Sequence, residues 1–491
     1  MKLKKRTLIV AGLVLFFIAG IASAQWPTSS AAPLVVADRS GEQVQPKIAA
    51  IAGGGFYVSW FDNSAGGYDV YLQHLDVEGF ELWPHDGVLV ADRSFSSTQD
   101  YGLSVDTEGN ALLAFRDDRV SPIQITAAKI APDGSMLWGS GGVQVSSGNI
   151  FVASPRVTGT LDDKIVVAWT SDVNVVIQQL DASGAPQWGA GITFTPPTGE
   201  SFSASDLHAS DTGTAIVSFT HTTGSFGSPI HLWTQKLAAA DGASLWGSGH
   251  VQVFGATGGS LQFGNYPPFV SDEMGGAVFA WYTNSPTLQV RAQRILSNGT
   301  EAFAGQGVEV STNATRVRVG GTAAFNSSTE ETFVAWTEQT SGQSQAAVYA
   351  QKLDVNGARQ WTDNGRELMP MSSDQVFSVG ILAIDDGALV TWIHSPSFGN
   401  DPVYSIRVES NGDFTWSPPI AEICILPTGS SRLVGGMGTE AFAAYAWTDG
   451  TSNGDIYVAN LNGDGSLGNQ VVIFRDGFSS GGTTAWSGTT P

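Results

Sequence analysis

Read for hydrophobic and polar positions, the chain repeats one short apolar strand that ends in an aromatic residue. FYVSW at 56–60 is followed by ALLAF at 111–115, IVVAW at 165–169, AIVSF at 215–219 and AVFAW at 277–281. TFVAW at 332–336, ALVTW at 388–392 and AAYAW at 443–447 complete the series. The anchors Trp60, Phe115, Trp169, Phe219, Trp281, Trp336, Trp392 and Trp447 recur every 50 to 62 residues. Apolar runs of this length, bounded by turn residues, read as buried strands, and no long 3.6-residue period interrupts them.

A second register agrees with the first. The pairs Glu78-Gly79, Asp133-Gly134, Ser183-Gly184, Asp241-Gly242, Asn298-Gly299, Asn356-Gly357, Asn411-Gly412 and Asp464-Gly465 follow the successive anchors. Asp-Gly and Asn-Gly supply the positive φ that a tight hairpin demands. Four residues past each Gly stand Trp83, Trp138, Trp188, Trp246, Phe303, Trp361 and Trp416, and only Asn469 breaks the series. Each unit thus predicts four short strands, in the first unit over 45–52, 55–62, 68–76 and 87–91. Eight such units predict an all-β fold, an eight-bladed β-propeller of four-stranded antiparallel blades.

Closure has two candidate strands. LVVADRS at 34–40 nearly duplicates VLVADRS at 88–94, the outer strand of the first unit. An outer strand that precedes the first complete blade can pair with the last one and fasten the ring. Val471-Val472-Ile473-Phe474 competes for that place, and the N-terminal strand is preferred.

The ends of the chain are separate from the repeat. The basic segment KLKKR at 2–6, the apolar run TLIVAGLVLFFIAGI and Ala22-Ser23-Ala24 read as a signal peptide over 1–24, cleaved before Gln25. The propeller occupies 25–474, and a polar tail over 475–491, RDGFSSGGTTAWSGTTP, reads as a sorting or attachment segment or a disordered end. No later apolar stretch is long enough to span a membrane. Export places the protein in the periplasm, at the cell surface or outside the cell.

Composition narrows the function classes. The chain has 45 acidic against 23 basic residues, a formal charge of −22. Loss of Lys2, Lys4, Lys5 and Arg6 with the signal leaves 19 basic residues and a charge of −26. So acidic a chain offers no basic surface for nucleic acid. A single cysteine, Cys424, excludes an intramolecular disulfide framework and a Cys-rich metal site.

VYAQKLDVNGARQW at 348–361 and LAAADGASLW at 237–246 resemble the tryptophan-docking repeat of quinoprotein-type (PQQ-like) propellers. The resemblance covers nearly the whole exported chain at the level of the repeat, and implies eight blades joined by docked tryptophans. That family holds pyrroloquinoline-quinone dehydrogenases as well as non-enzymatic assembly scaffolds. Here the Thr before the turn Gly is missing, and so is the vicinal cysteine pair that caps the quinone in the alcohol dehydrogenases. The resemblance therefore implies the architecture and the non-enzymatic branch. The hairpin is also similar to the Asp-box of sialidases, but Arg93, Arg116, Arg119, Arg156, Arg291 and Arg407 occupy unlike repeat positions and form no arginine triad.

Candidate site residues lie two positions past each anchor: Asp62, Asp117, Ser171, His221, Thr283, Glu338, His394 and Asp449. All fall where strands turn at one face, the place propellers put function. Asp62, Asp117, His221, Glu338, His394 and Asp449 mark the expected binding face. Asp62, Asp117 and Asp449, on adjoining blades, are the candidate metal ligands, with calcium the ion they could take. The competing reading is that such residues cap their own turns. His208, His221, His231 and His250 fall in one blade at spacings that match no zinc motif, and residues 460–466 resemble the start of a calcium loop but coincide with the eighth hairpin. No catalytic residues and no cofactor are assigned.

The expectation is an exported, monomeric binding or scaffold module for a protein or glycan at the bacterial envelope or beyond. The alternatives are a propeller enzyme, quinone-dependent or polysaccharide-cleaving, with an axial pocket lined by acids and an arginine or lysine, and a structural surface-layer component.

Overall fold

In the computed structural model, residues 25–469 are described, apart from 97, 99, 256, 439–441, 451 and 452. The signal segment, Val471–Phe474 and the tail lie outside the described residues. Eight antiparallel sheets follow one another along the chain. In the first blade Gln43–Ala50, Phe56–Asp62, Asp69–Leu75 and Val88–Ala91 pair in sequence order, as strands a to d from the inside outward. The eight apolar repeats are the second strands, and their anchors are all buried.

The strands b are buried along their whole length in blades 1, 2, 3 and 8 because both sheet faces meet a neighbouring blade. The apolar layers accordingly lie between blades. One joins Phe56, Trp60 and Tyr71 of blade 1 to Ala444, Ala446, Ile456 and Val458 of blade 8. Anchors also stack on the strand-c residue opposite, as Trp60 on Tyr71, Trp336 on Tyr349 and Trp447 on Tyr457, with ring centroids 6.0 to 6.2 Å apart.

The aromatic past each hairpin docks on the next blade. Trp83 donates its indole N–H to Pro132 O at 3.1 Å, Trp138 to Ala182 O at 3.0 Å and Trp246 to Ser297 O at 2.9 Å. Trp361 and Trp416 do the same to Ser410 O and Gly463 O. Each ring covers the turn glycine of that blade: a Cβ on Gly357 would stand 2.7 Å from the Phe303 ring, and one on Gly465 2.8 Å from Trp416. The turn Gly thus answers two demands, positive φ and an aromatic at contact distance.

The ring closes through the N-terminus. Leu34–Ala37 pairs antiparallel with Asp455–Leu461, Leu34 opposite Val458, as the outer strand of blade 8. The eighth docking residue is supplied from the same segment. Trp26 donates to Val77 O at 2.9 Å and covers Gly79 of blade 1. Asn469 leaves that place open and Trp26 takes it, a role that reading the repeat did not assign. The clue was present, since Trp26-Pro27 precedes one VADRS copy as Trp83-Pro84 precedes the other.

With this strand order, loops a–b and c–d emerge on one side of the ring. Loops b–c and the d–a crossings emerge on the other, here the upper face.

Candidate functional site

The eight residues two past the anchors do stand at the upper ends of strands b, but they are spent on holding the loops. Asp62, Asp117, His221, Glu338 and Asp449 are buried. The Glu338 carboxylate accepts the indole N–H of Trp336 at 2.8 Å and pairs with Arg318 Nε at 3.0 Å. Burial pushes its pKa above the ordinary value, against the pull of Trp336 and Arg318. Asp449 accepts from Trp447 at 3.2 Å and from Ser430 at 3.1 Å. In blades 6 and 8 the acid two residues past the buried Trp therefore caps it, whereas Asp62 does not bond to the Trp60 indole in blade 1.

Asp117 is held by Arg119, with Nη2 2.7 Å from Oδ2. Burial works to raise that carboxyl, and hydrogen bonds from Arg119 and Thr126 bring it below its ordinary value. Asp62 accepts the Ser64 N–H at 2.8 Å, the turn-capping role. His221 pairs with Glu200, and His394 with Asp374 at 3.1 Å. The six residues locate the face, but the surface a partner would touch lies beyond them, in the loops they brace.

Among the described residues, Asp38, His85 and Asp86 are the group of three whose potential ligand atoms lie within 4.8 Å of one another. None of Asp62, Asp117 and Asp449 belongs to it. His85 there is already engaged by Glu81 and Asp38, and Arg39 lies 3.5 Å from Asp86. The blade 4 histidines divide. His221 and His231 face each other across strands with centroids 6.0 Å apart, His250 packs on Phe194 at 4.4 Å, and His208 sits apart on the inner strand. Residues 460–466 form the eighth hairpin, with Asn462 N–H bonded to Ser466 O and Asp464 accepting from Ser466. Cys424 is buried, and burial lifts its thiol to about 11, far from thiolate chemistry.

Among the described residues, two cavities carry candidate chemistry, and a further one of about 520 Å³ lies beside Asn326, Ala383 and Met437. The first opens on the upper face between blades 4 and 5, with a volume of about 350 Å³. Its wall includes the exposed rings Phe226, in the b–c loop of blade 4, and Phe263, which meet edge to face at 5.3 Å. Phe226 is 88% exposed and Phe263 65%. Thr222, Ser228, Ser260, Asn284 and Ser285 complete the lining with hydroxyls and an amide, and no charged side chain contributes. Phe263 belongs to a departure from the repeat. The inner strand of blade 5 is split into Ser260–Leu261 and Phe269–Ser271, and the intervening loop carries Phe263 and Tyr266 outward. Positions that break a local rule are where function is expected.

The second cavity, of about 380 Å³, lies on the inner strands of blades 1 to 4. One position on each inner strand faces the residue before the anchor: Lys47 opposite Ser59, Gly102 opposite Ala114, Arg156 opposite Ala168 and Asp206 opposite Ser218. The series continues with Thr322, Gly380 and Val434 in blades 6 to 8. A bulge precedes the position in blades 1, 3, 4, 6, 7 and 8 and re-aims it. At this position the charged residues are Lys47, Arg156 and Asp206, in blades 1, 3 and 4.

These charges form a chain. Lys47 Nζ lies 2.7 Å from Asp100 Oδ1, Arg156 Nη2 2.6 Å from Asp100 Oδ2, and His208 Nε2 2.9 Å from Asp206 Oδ2. Arg156 Nε is 3.9 Å from Asp206 Oδ1, linking the two halves. Burial opposes ionisation of Asp206, but His208 and Arg156 bring its pKa down to about 2. His208 is raised: burial works against the proton and Asp206 outweighs it.

No family model and no curated protein matches the chain. Among solved structures, an ulvan lyase of polysaccharide lyase family PL25, bound to -[GlcA(1-4)Rha3S]-, is similar over 77% of this chain and 96% of its own. The identity is 13% and the TM-score 0.47. The Dos1 propeller is similar over 87% of this chain and 94% of its own, at 14% identity and a TM-score of 0.47. The BP39L lectin from Burkholderia pseudomallei is similar over 76% and 98%, again at 14% identity and 0.47. Likeness of this order concerns the path of the chain and not its ligands. Among the described residues no helix is long and apolar enough to cross a membrane.

Proposed function

We propose that this chain is an exported glycan-binding propeller whose site is the cavity under Phe226 and Phe263. The observation that carries the reading is the pair of exposed rings beside uncharged hydroxyl and amide groups. A sugar ring has an apolar C–H face and a rim of hydroxyls. Aromatic planes match the first, and Ser, Thr and Asn side chains, as both donors and acceptors, match the second. Phenylalanines 65% and 88% exposed gain when a ligand covers them. The sequence supports the rest of the reading: a signal peptide over 1–24 for export, and no assigned catalytic set.

The test is a melting-temperature screen of residues 25–491 against neutral and acidic glycans, with calcium, EDTA and pyrroloquinoline quinone as further arms. Ligand at a hundred times its dissociation constant adds about 2.7 kcal/mol to the native state. A glycan shift that disappears in Phe226→Ala and Phe263→Ala supports the reading, and a shift with quinone plus calcium alone returns the chain to the dehydrogenase branch. Absence of any glycan shift removes this reading and leaves a protein-binding scaffold.

A further inference from the structure

We infer that the cavity on the inner strands of blades 1 to 4 is a carboxylate-binding site, separate from the aromatic site on the upper face. The argument is a balance of donors and acceptors. Asp100 Oδ1 accepts from Lys47 and from the Tyr101 N–H at 3.0 Å, while Oδ2 accepts from Arg156. Asp206 Oδ1 accepts the Leu207 N–H at 2.9 Å, while Oδ2 accepts from His208 and the Phe269 N–H at 3.1 Å. Every carboxylate oxygen of the chain is therefore already bonded.

The donors are not exhausted. Arg156 spends three of its five N–H donors on Asp100, Ser205 O and Pro155 O. Lys47 spends one of its three N–H bonds on Asp100, and its side chain is 31% exposed at the cavity. His208 holds Asp206 through Nε2 and also bonds to the Phe269 backbone carbonyl, and its side chain is 44% exposed. The Phe269 ring packs edge-on beside the imidazole at 4.8 Å. What the chain still offers a ligand is thus N–H groups of Lys47 at one cationic end and of Arg156 between it and His208, the other end. Those groups suit an anionic oxygen ligand, and charge-assisted bonds of this kind favour carboxylate.

The groups facing His208 are Asp206 and Arg156, with Lys47 and Asp100 further along the chain. With His208 neutral the two cations and two anions cancel. A proton on His208 adds one positive charge at the cavity, so binding tightens as the pH falls. A volume of about 380 Å³ admits a monosaccharide-sized acid. Gly102, Gly380 and Val434 at the equivalent ring positions bring no competing charge.

The experiment is calorimetric titration of residues 25–491 with glucuronate, acetate and glucose, at about pH 6 and about pH 9 on either side of the imidazole transition. Glucuronate binds, more tightly at the lower pH, and glucose does not. Lys47→Met and His208→Gln each weaken it about tenfold or more, the loss of one charge-assisted bond or of one positive charge at the cavity. Phe226→Ala leaves it unchanged, which separates this site from the aromatic one. Acetate binding as well as glucuronate assigns the site to carboxylates in general, and preference for glucuronate assigns it to a sugar acid. Equal binding of glucose, no carboxylate binding at either pH, or unchanged affinity in both variants with wild-type melting overturns the inference.

Discussion

Trp26 lies against Gly79, so that a Cβ added there would stand 2.7 Å from its ring, while its indole nitrogen bonds to Val77 O at 2.9 Å. Its backbone N–H also bonds to Glu78 O at 3.1 Å. The chain thus closes its ring twice from one end, by the strand Leu34–Ala37 and by a docked indole. Trp26, ahead of the first blade, carries the same contact that each blade makes with its successor.

Trp26→Ala is therefore expected to destabilise the whole propeller by about 3–5 kcal/mol, the cost of emptying a buried aromatic site. Trp83→Ala, the equivalent change inside the ring, should cost about as much. Urea unfolding of both variants checks this. A Trp26→Ala loss of only a few tenths would mean that the N-terminal strand closes the ring unaided.

The repeat was legible because two aromatic registers impose the same spacing, and both belong to buried positions that every blade must fill. Trp26 was not, since it precedes its strand by eight residues where Trp83 precedes its own by five, and it lies outside the unit that contains an anchor. The residues two past the anchors lie at or near the ends of strands b, but their burial depends on partners far away in sequence. Arg318 reaches Glu338 from the inner strand, and Asp374 reaches His394. The inner-strand charges left no pattern to read, because bulges at Gln45 and Ser154, with φ of 55° and 50°, shift which residue turns inward. Phe226 and Phe263 belong to loops, where no period constrains them.

Glu338 and Arg318 form an ion pair with neither side chain more than 3% exposed. Glu338→Ala strands a buried guanidinium and an indole N–H, and should cost about 3–5 kcal/mol. Replacing both partners, as Glu338→Met with Arg318→Met, should cost less than the single change, because no unpaired charge remains. The double-mutant cycle from urea midpoints decides. A double variant weaker than Glu338→Ala would mean the pair contributes more than mutual satisfaction.

Phe226 has little to lose on truncation, being 88% exposed. Phe226→Ala should leave stability within about 0.5 kcal/mol of the parent chain. If the rings hold a glycan, the same change lowers its affinity about tenfold, and Phe263→Ala does likewise, since base or sugar stacking on an aromatic is worth about 1–3 kcal/mol. Unfolding midpoints and glycan titration on the same samples give both quantities. A large stability loss would make Phe226 part of the packing rather than of the surface.

The histidines give the fold a pH dependence of defined sign. Burial among Phe194, Phe202 and Phe219 depresses His250, and burial also depresses His231, with His221 nearby adding repulsion in each case. The unfolded chain takes up these protons near the ordinary histidine value of about 6.5, and the folded chain only at lower pH. Stability from this pair is therefore complete above about 6.5 and is lost as the pH falls through the unfolded and then the folded values. His208 acts oppositely: its raised value contributes stability below about 6.5 that is lost as the pH rises through the folded value. His250→Phe, which keeps a ring beside Phe194, should flatten the acid limb between about pH 7 and 5, and His208→Gln the limb above it. Urea midpoints measured across that range separate the two. An acid limb unchanged in His250→Phe would place its origin in the carboxylates instead.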